Sequence, residues 1–101
     1  MKQDEWNSLK DRVCVITGGG GVLGSAMARG LASAGVIMAI LDINEEAARK
    51  VASEISSEFG LPSQGYAADV LDRESLLQVR NRIRDQLGEI DLLINASKKR
   101  E

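Results

Sequence analysis

The chain has 101 residues, 44% hydrophobic and 28% charged, with a formal net charge of −2; that is enough for one domain with a core, and it lacks the basic surplus of a nucleic-acid binder. It has no histidine and a single cysteine, Cys14, so histidine bases, histidine metal ligands and an intrachain disulfide are excluded, and Cys14 reads as a small core residue in a reducing setting. No run is long and apolar enough to span a bilayer and Met1–Leu9 has no secretory apolar region, so the expected setting is cytoplasmic, away from membranes.

Residues 1–9 read as a loosely ordered segment with Trp6 as a candidate anchor. Val13–Thr17 is continuously apolar, as in a parallel strand covered on both faces. Five glycines follow within eight residues, Thr17 to Gly24, and a helical pattern opens directly behind them. That helix is expected over Val22–Ala34. Its stripe is Leu23, Met27 and Leu31, the small residues Ala26, Gly30 and Ala34 lie beside it, and Gly35 is the C-terminal cap. Val36–Leu41 is a second buried strand, closed by Asp42. Asn44 opens a second helix with Glu45 and Glu46 in its first turn and Val51, Ile55 and Phe59 as its stripe; Gly60-Leu61-Pro62 stops it. A third strand is expected over Gln64–Ala68, ending at Asp69-Val70. Asp72 caps a third helix over Arg73–Leu87. Leu76, Val79, Ile83 and Leu87 form its buried face, and Arg80, Arg82, Arg84 and Asp85 its solvated one. Gly88 ends it, and Asp91–Asn95 is a fourth strand.

The order β-α-β-α-β-α-β, with short connections and right-handed crossovers, predicts a three-layer α/β fold. It is a partial doubly wound (Rossmann) arrangement: four parallel strands in order 3-2-1-4, with helices on both faces. Ligands of such sheets bind at the carboxyl ends of the strands, here in the crevice between strands 1 and 4.

Strand, glycine turn and helix form the first half of a phosphate-binding unit. Gly18, Gly20, Gly21, Val22, Leu23 and Gly24 are the candidate cradle. The N–H groups of Gly20 to Leu23 are expected to face a pyrophosphate at the helix N-terminus. Asp42 lies 18 residues beyond Gly24, with Ile43 beside it. A carboxylate there can accept both ribose hydroxyls of an adenosine and repels a 2′-phosphate, which predicts NAD in preference to NADP; the competing reading is a helix cap. Asp69, with Val70, stands where a side chain can meet the adenine edge, or else serves a turn. Asn95 faces the same crevice, or else satisfies loop backbone at the strand end.

Taken in order, Thr17-Gly18-Gly19-Gly20-Gly21-Val22-Leu23-Gly24, Leu41-Asp42, Ala68-Asp69-Val70 and Asp91-Leu92-Leu93-Ile94-Asn95 resemble the hallmarks of the short-chain dehydrogenase/reductases. The similarity runs from Ser8 to Asn95, and the wording of the glycine turn is most similar to the mannonate or fructuronate oxidoreductase-like subgroup. The resemblance implies hydride transfer between NAD and an alcohol or carbonyl, a sugar acid in that subgroup. Two departures stand out. Val22 occupies the middle glycine position of the family motif, and Ala96-Ser97-Lys98-Lys99 replaces the family's continuation after Asn95. The family's catalytic Ser, Tyr and Tyr-x-x-x-Lys chemistry is also missing: the one tyrosine, Tyr66, is followed at the fourth position by Val70, and no lysine lies between Lys50 and Lys98.

The chain therefore reads as a segment of 1–9, an NAD(P)-binding half-domain of 10–95 and a basic tail of 96–101, with no catalytic residue of its own. The alternatives are a non-catalytic dinucleotide-binding module and a non-functional truncated product. The expected partner is the dinucleotide. The open edge of strand 4 is expected to favour self-association, blunted by the basic tail.

Overall fold

The computed structural model describes residues 9–97. The expected N-terminal segment with its Trp6 anchor and the lysine-rich end of the tail lie outside the described residues.

Seven elements follow one another: β1 (Val13–Thr17), α1 (Val22–Ser33), β2 (Ile37–Asp42), α2 (Glu45–Phe59), β3 (Ser63–Ala67), α3 (Arg73–Gln86) and β4 (Ile90–Asn95). The strands form one parallel sheet in the order β3-β2-β1-β4. This is the expected topology, with element ends displaced by a residue or so. Alternation along the strands sends successive side chains to opposite faces. Cys14, Ile16, Met38 and Ile40 pack under α1 and α2 with Ala28, Ala32, Ala48, Val51, Ala52 and Ile55. Val13, Val15, Ala39, Leu41 and Tyr66 pack on the other face against Val79 and Ile83 of α3.

The helix ends follow local chemistry. Asn44 caps α2, its side chain accepting from the Ala47 N–H, and Asp72 caps α3, accepting from the Glu74 and Ser75 N–H groups. Gly35, at φ +92°, and Gly60, at φ +68°, turn the chain out of α1 and α2 in the left-handed region that favours glycine.

The buried face of α1 is not the expected leucine stripe. Gly24, Ala28 and Ala32 are its buried residues, while Leu23 and Met27 are exposed and Leu31 is half-buried. Small residues at four-residue spacing let the helix backbone lie close to the sheet, and a leucine on that line would hold it off. The larger side chains, one position earlier, fall on the flank.

β4 is the sheet edge, and Leu92 and Leu93 are exposed there, Leu93 at 70%. Its register slips beside β1 between Val13 and Cys14. At the slip the Val13 N–H donates to Asp91 Oδ2 at 2.9 Å, so a side chain supplies the acceptor that the interrupted ladder lacks.

Candidate functional site

Parallel strands bring their carboxyl ends together, and the chain places Thr17, Asp42, Ala67 and Asn95 at those ends. Between β1 and α1 runs the glycine turn. Gly18 adopts φ +69°, and a Cβ there would lie 2.7 Å from the Ser97 backbone nitrogen. A Cβ on Gly24 would collide with the Gly18 carbonyl oxygen. These two positions accept only glycine. The turn folds back so tightly that its last residue touches its first, while the chain leaving β4 passes alongside.

The hydrogen bonds of the turn decide which donors remain. The Gly19 N–H donates to Leu41 O at 3.0 Å and the Gly21 N–H to Gly18 O at 3.2 Å. The Gly20 N–H donates to Asp42 Oδ2 at 3.0 Å. The helical ladder opens only with Ser25 N–H to Gly21 O, at 2.9 Å. The N–H groups of Val22, Leu23 and Gly24 therefore precede the first intrahelical bond, as the first turn of any helix requires. Gly21, the N-cap, offers no side chain, and the first turn holds no acid. Both other helices carry an Asn or Asp cap and glutamate there. The α1 end thus keeps its donors and its positive dipole end uncompensated, as an anion site requires. Of the donors expected over Gly20 to Leu23, the structure leaves Val22 and Leu23 and adds Gly24. Val22, at the family's middle glycine position, is 92% exposed and does not obstruct the turn.

Asp42 is half-buried. Besides Gly20 it serves the Asn44 N–H, which donates to Oδ1 at 3.0 Å. Ile43 is exposed beside it. Asp69 sits past the end of β3, its Oδ1 accepting from the Leu71 N–H at 2.9 Å while its own N–H donates to Ser75 Oγ at 3.3 Å. That is a turn-forming role at the connection into α3. Asn95 Oδ1 accepts from Thr17 Oγ1 at 2.7 Å and from the Ser97 N–H at 3.1 Å. Val70 and Asn95, with Val15, Thr17, Leu76 and Leu93, line an open, mostly apolar groove of about 460 Å³ between α3 and β4. Asp42 and the turn are in direct contact, as are Asn95 and Thr17.

Sequence reasoning missed the roles of Thr17 and Gly19. Thr17 is buried and fixes the Asn95 amide; a hydroxyl at the last position of an otherwise apolar strand was the available signal. Gly19 is buried against the sheet, where a Cβ would stand 2.7 Å from Ile40 Cγ2.

Tyr66 and Cys14 both serve the core. Tyr66 is buried under α3, its hydroxyl donates to Gln86 Oε1 at 2.6 Å, and the Arg82 guanidinium lies 5.2 Å from its ring centroid. Burial raises its pKa, and Arg82 only partly offsets this. Burial pushes the Cys14 thiol up to about 11, which leaves it protonated and inert. Among the described residues no group of three acidic or cysteine side chains gathers to hold a metal, and no helix is long and apolar enough to cross a membrane.

The sequence profile of the short chain dehydrogenase family matches residues 12–98. An uncharacterised oxidoreductase of Haemophilus influenzae is 42% identical over 91 residues, covering 90% of this chain and 32% of that protein. An uncharacterised oxidoreductase of Bacillus subtilis, UxuB, is 47% identical over 90 residues, covering 89% and 32%. Among solved structures, an NAD-bound protein from Haemophilus influenza, provisionally assigned as a D-mannonate oxidoreductase, superposes with a TM-score of 0.86 at 41% identity. That match covers 92% of this chain and 33% of the other. The chain thus spans about a third of the length of these relatives.

Proposed function

Because the chain belongs to the short-chain dehydrogenase family, we propose that these 101 residues bind the adenosine and pyrophosphate portions of NAD, as the dinucleotide-binding part of an oxidoreductase. The observation that carries this is the uncapped N-terminus of α1 behind a turn that only glycine can make at Gly18 and Gly24. Val22, Leu23 and Gly24 hold the pyrophosphate through backbone N–H groups, with Gly18, Gly20 and Gly21 giving it room. Asp42 takes the ribose hydroxyls, flanked by Ile43. Asp69 and Val70 flank the adenine, and Asn95 borders the nicotinamide side. NAD, once bound, supplies a hydride acceptor; what these residues contribute is binding and orientation.

Asp42 supports NAD over NADP. A 2′-phosphate in place of the ribose hydroxyl meets the Asp42 carboxylate at close range.

Hydride transfer between NAD and an alcohol or carbonyl, with a sugar acid as substrate, is the activity we propose for a protein of the relatives' full length that contains this segment. The sequence of these 101 residues favours a second reading of the chain by itself, a non-catalytic binding module. Its one tyrosine is tied to Gln86 and has valine at the fourth position after it. We place the binding unit at residues 10–95 and the protein in the cytoplasm. The edge of β4, where Leu92 and Leu93 are exposed, supports self-association at higher concentration.

Thermal-shift and calorimetric titrations with NAD, NADP and AMP test the reading. A ligand at 100 times its Kd adds about 2.7 kcal/mol of stability, a readily measured shift. NAD and AMP are expected to stabilise the chain and NADP to do so less. No shift with any of the three at millimolar concentration would overturn the proposal.

A further inference from the structure

The Asp42 carboxylate is already at work before any ligand arrives. Oδ2 accepts the Gly20 N–H and Oδ1 the Asn44 N–H, both at 3.0 Å. One residue earlier, the Leu41 carbonyl accepts the Gly19 N–H at 3.0 Å. Two consecutive amides of the glycine turn are therefore held by two consecutive residues at the end of β2. With those donors turned toward β2 and the Gly21 N–H turned back to Gly18, the donors left unspent belong to the first turn of α1. An ionised carboxylate offers about four acceptor positions. Two backbone bonds leave room for ribose hydroxyls, so holding the turn and receiving an adenosine are compatible.

Gly20 is fitted to this arrangement. A Cβ there would lie 2.9 Å from Asp42 Oδ2 and 2.9 Å from Ala47 Cβ. By contrast, a Cβ on Gly21 meets nothing nearer than Gly18 O at 3.5 Å. The carboxylate and the missing side chain at 20 occupy one space, so each restricts what the other position can hold.

We propose that Asp42 is a positioning residue for the phosphate-binding turn as well as the ribose acceptor, with Gly20 as its steric partner. The two together determine dinucleotide choice. Replacing Asp42 to admit a 2′-phosphate then also loosens the pyrophosphate cradle, and a side chain at 20 displaces the carboxylate from the ribose. The inference rests on the dinucleotide reading above but adds a consequence that ribose recognition alone lacks: Asp42 affects a ligand that contains no ribose.

The test uses the 101-residue chain, ¹⁵N-labelled, with NAD and inorganic pyrophosphate as probes. In Asp42→Ala, loss of a charge-assisted bond predicts about tenfold faster amide exchange at Gly20, with Ile40 in the core of β2 unchanged. Pyrophosphate affinity is expected to fall about five- to tenfold and NAD affinity further. Asn44→Ala removes the α2 cap and keeps the Asp42 bonds, so it leaves Gly20 exchange and pyrophosphate affinity at wild-type values. If Asp42→Ala does not fold, Asp42→Asn, which keeps one acceptor oxygen, gives the same readouts at smaller size. Gly20 exchange and pyrophosphate affinity both within twofold of wild type in the Asp42 variant overturn the proposal. Failure of the wild type to bind either probe overturns the dinucleotide reading instead, and exchange at Gly20 then decides whether Asp42 shapes the turn.

Discussion

The Thr17 hydroxyl donates to the Asn95 carboxamide across 2.7 Å, joining the carboxyl ends of β1 and β4. Asn95 passes the restraint on through its bond from the Ser97 N–H, and Ser97 is the residue that lies against Gly18. The buried threonine therefore positions the chain beyond β4 against the glycine turn. Thr17→Val keeps the shape and removes the donor. We expect it to cost about 1–2 kcal/mol, the range for a lost hydrogen bond that leaves a partner short. A lowered urea midpoint with an unchanged slope checks this. A variant as stable as wild type counts against the role.

The glycine turn separates positions needed for folding from positions needed for binding. Gly24→Ala drives a methyl into the Gly18 carbonyl, and the backbone must move to relieve it. We expect a loss of about 1–3 kcal/mol, or more. Gly21→Ala has space, with φ −82° at the helix N-cap, so its cost stays within about 1 kcal/mol. Its methyl stands at the mouth of the anion site, so dinucleotide affinity falls while the fold persists. Paired unfolding and NAD-binding measurements on the two variants distinguish these outcomes.

The topology was legible in the sequence because continuous apolar runs, glycine stops and cap residues recur in a fixed alternation. The candidate residues at the strand ends were legible for the same reason: parallel strands gather their carboxyl ends wherever the order is known. The face of α1 was not. Pattern reading ranks positions by hydrophobic size and chose Leu23 and Met27, whereas close approach to the sheet selects the smallest side chains, Gly24, Ala28 and Ala32. The Asp42–Gly20 bond was hidden as well. Twenty-two residues separate the partners, and the bond depends on how the turn folds back over β2. The register slip at Asp91 depends likewise on two strands meeting, and no local pattern marks it.

Asp91 gives the fold a defined response to acid. Its carboxyl is held below the usual aspartate value of 3.8, first by the Val13 N–H it accepts; partial burial opposes this, and Arg12 adds to the lowering. A folded-state pKa below the unfolded one contributes stability that is present above the unfolded value and lost as pH falls through the folded one. The Asp91 contribution is therefore intact at neutral pH and declines below 3.8. Asp91→Asn lacks it throughout. Urea midpoints of wild type and Asp91→Asn should differ at neutral pH and converge as pH drops below that value. A constant gap across the acid range contradicts the assignment.

Tyr66 invites a false assignment as a proton donor, and its surroundings argue for structure. The hydroxyl is buried and bonded to Gln86, and the ring packs among Val79 and Ile83 of α3. Tyr66→Phe keeps the ring and removes the bond. The expected cost is about 1 kcal/mol, read as a lower Tm, with NAD affinity unchanged. A selective loss of NAD binding at unchanged stability would move Tyr66 into the site.

Three features of the β4 edge underlie the proposed association: an unpaired strand margin, exposed leucines at 92 and 93 on opposite faces of the sheet, and the groove between α3 and β4. Leu93 lines that groove and is 70% exposed, so replacing it costs the monomer little. A lysine at an edge position opposes strand-to-strand pairing, because a paired neighbour must bury or crowd the charge. Leu93→Lys is therefore expected to hold the chain monomeric at concentrations where the wild type associates, with cooperative unfolding preserved. Sedimentation velocity over a concentration series reads the difference. If the wild type stays monomeric throughout the series, the edge does not drive association. If both chains associate alike, the contact lies elsewhere, and the exposed Val22, Leu23 and Met27 surface of α1 is the next to alter.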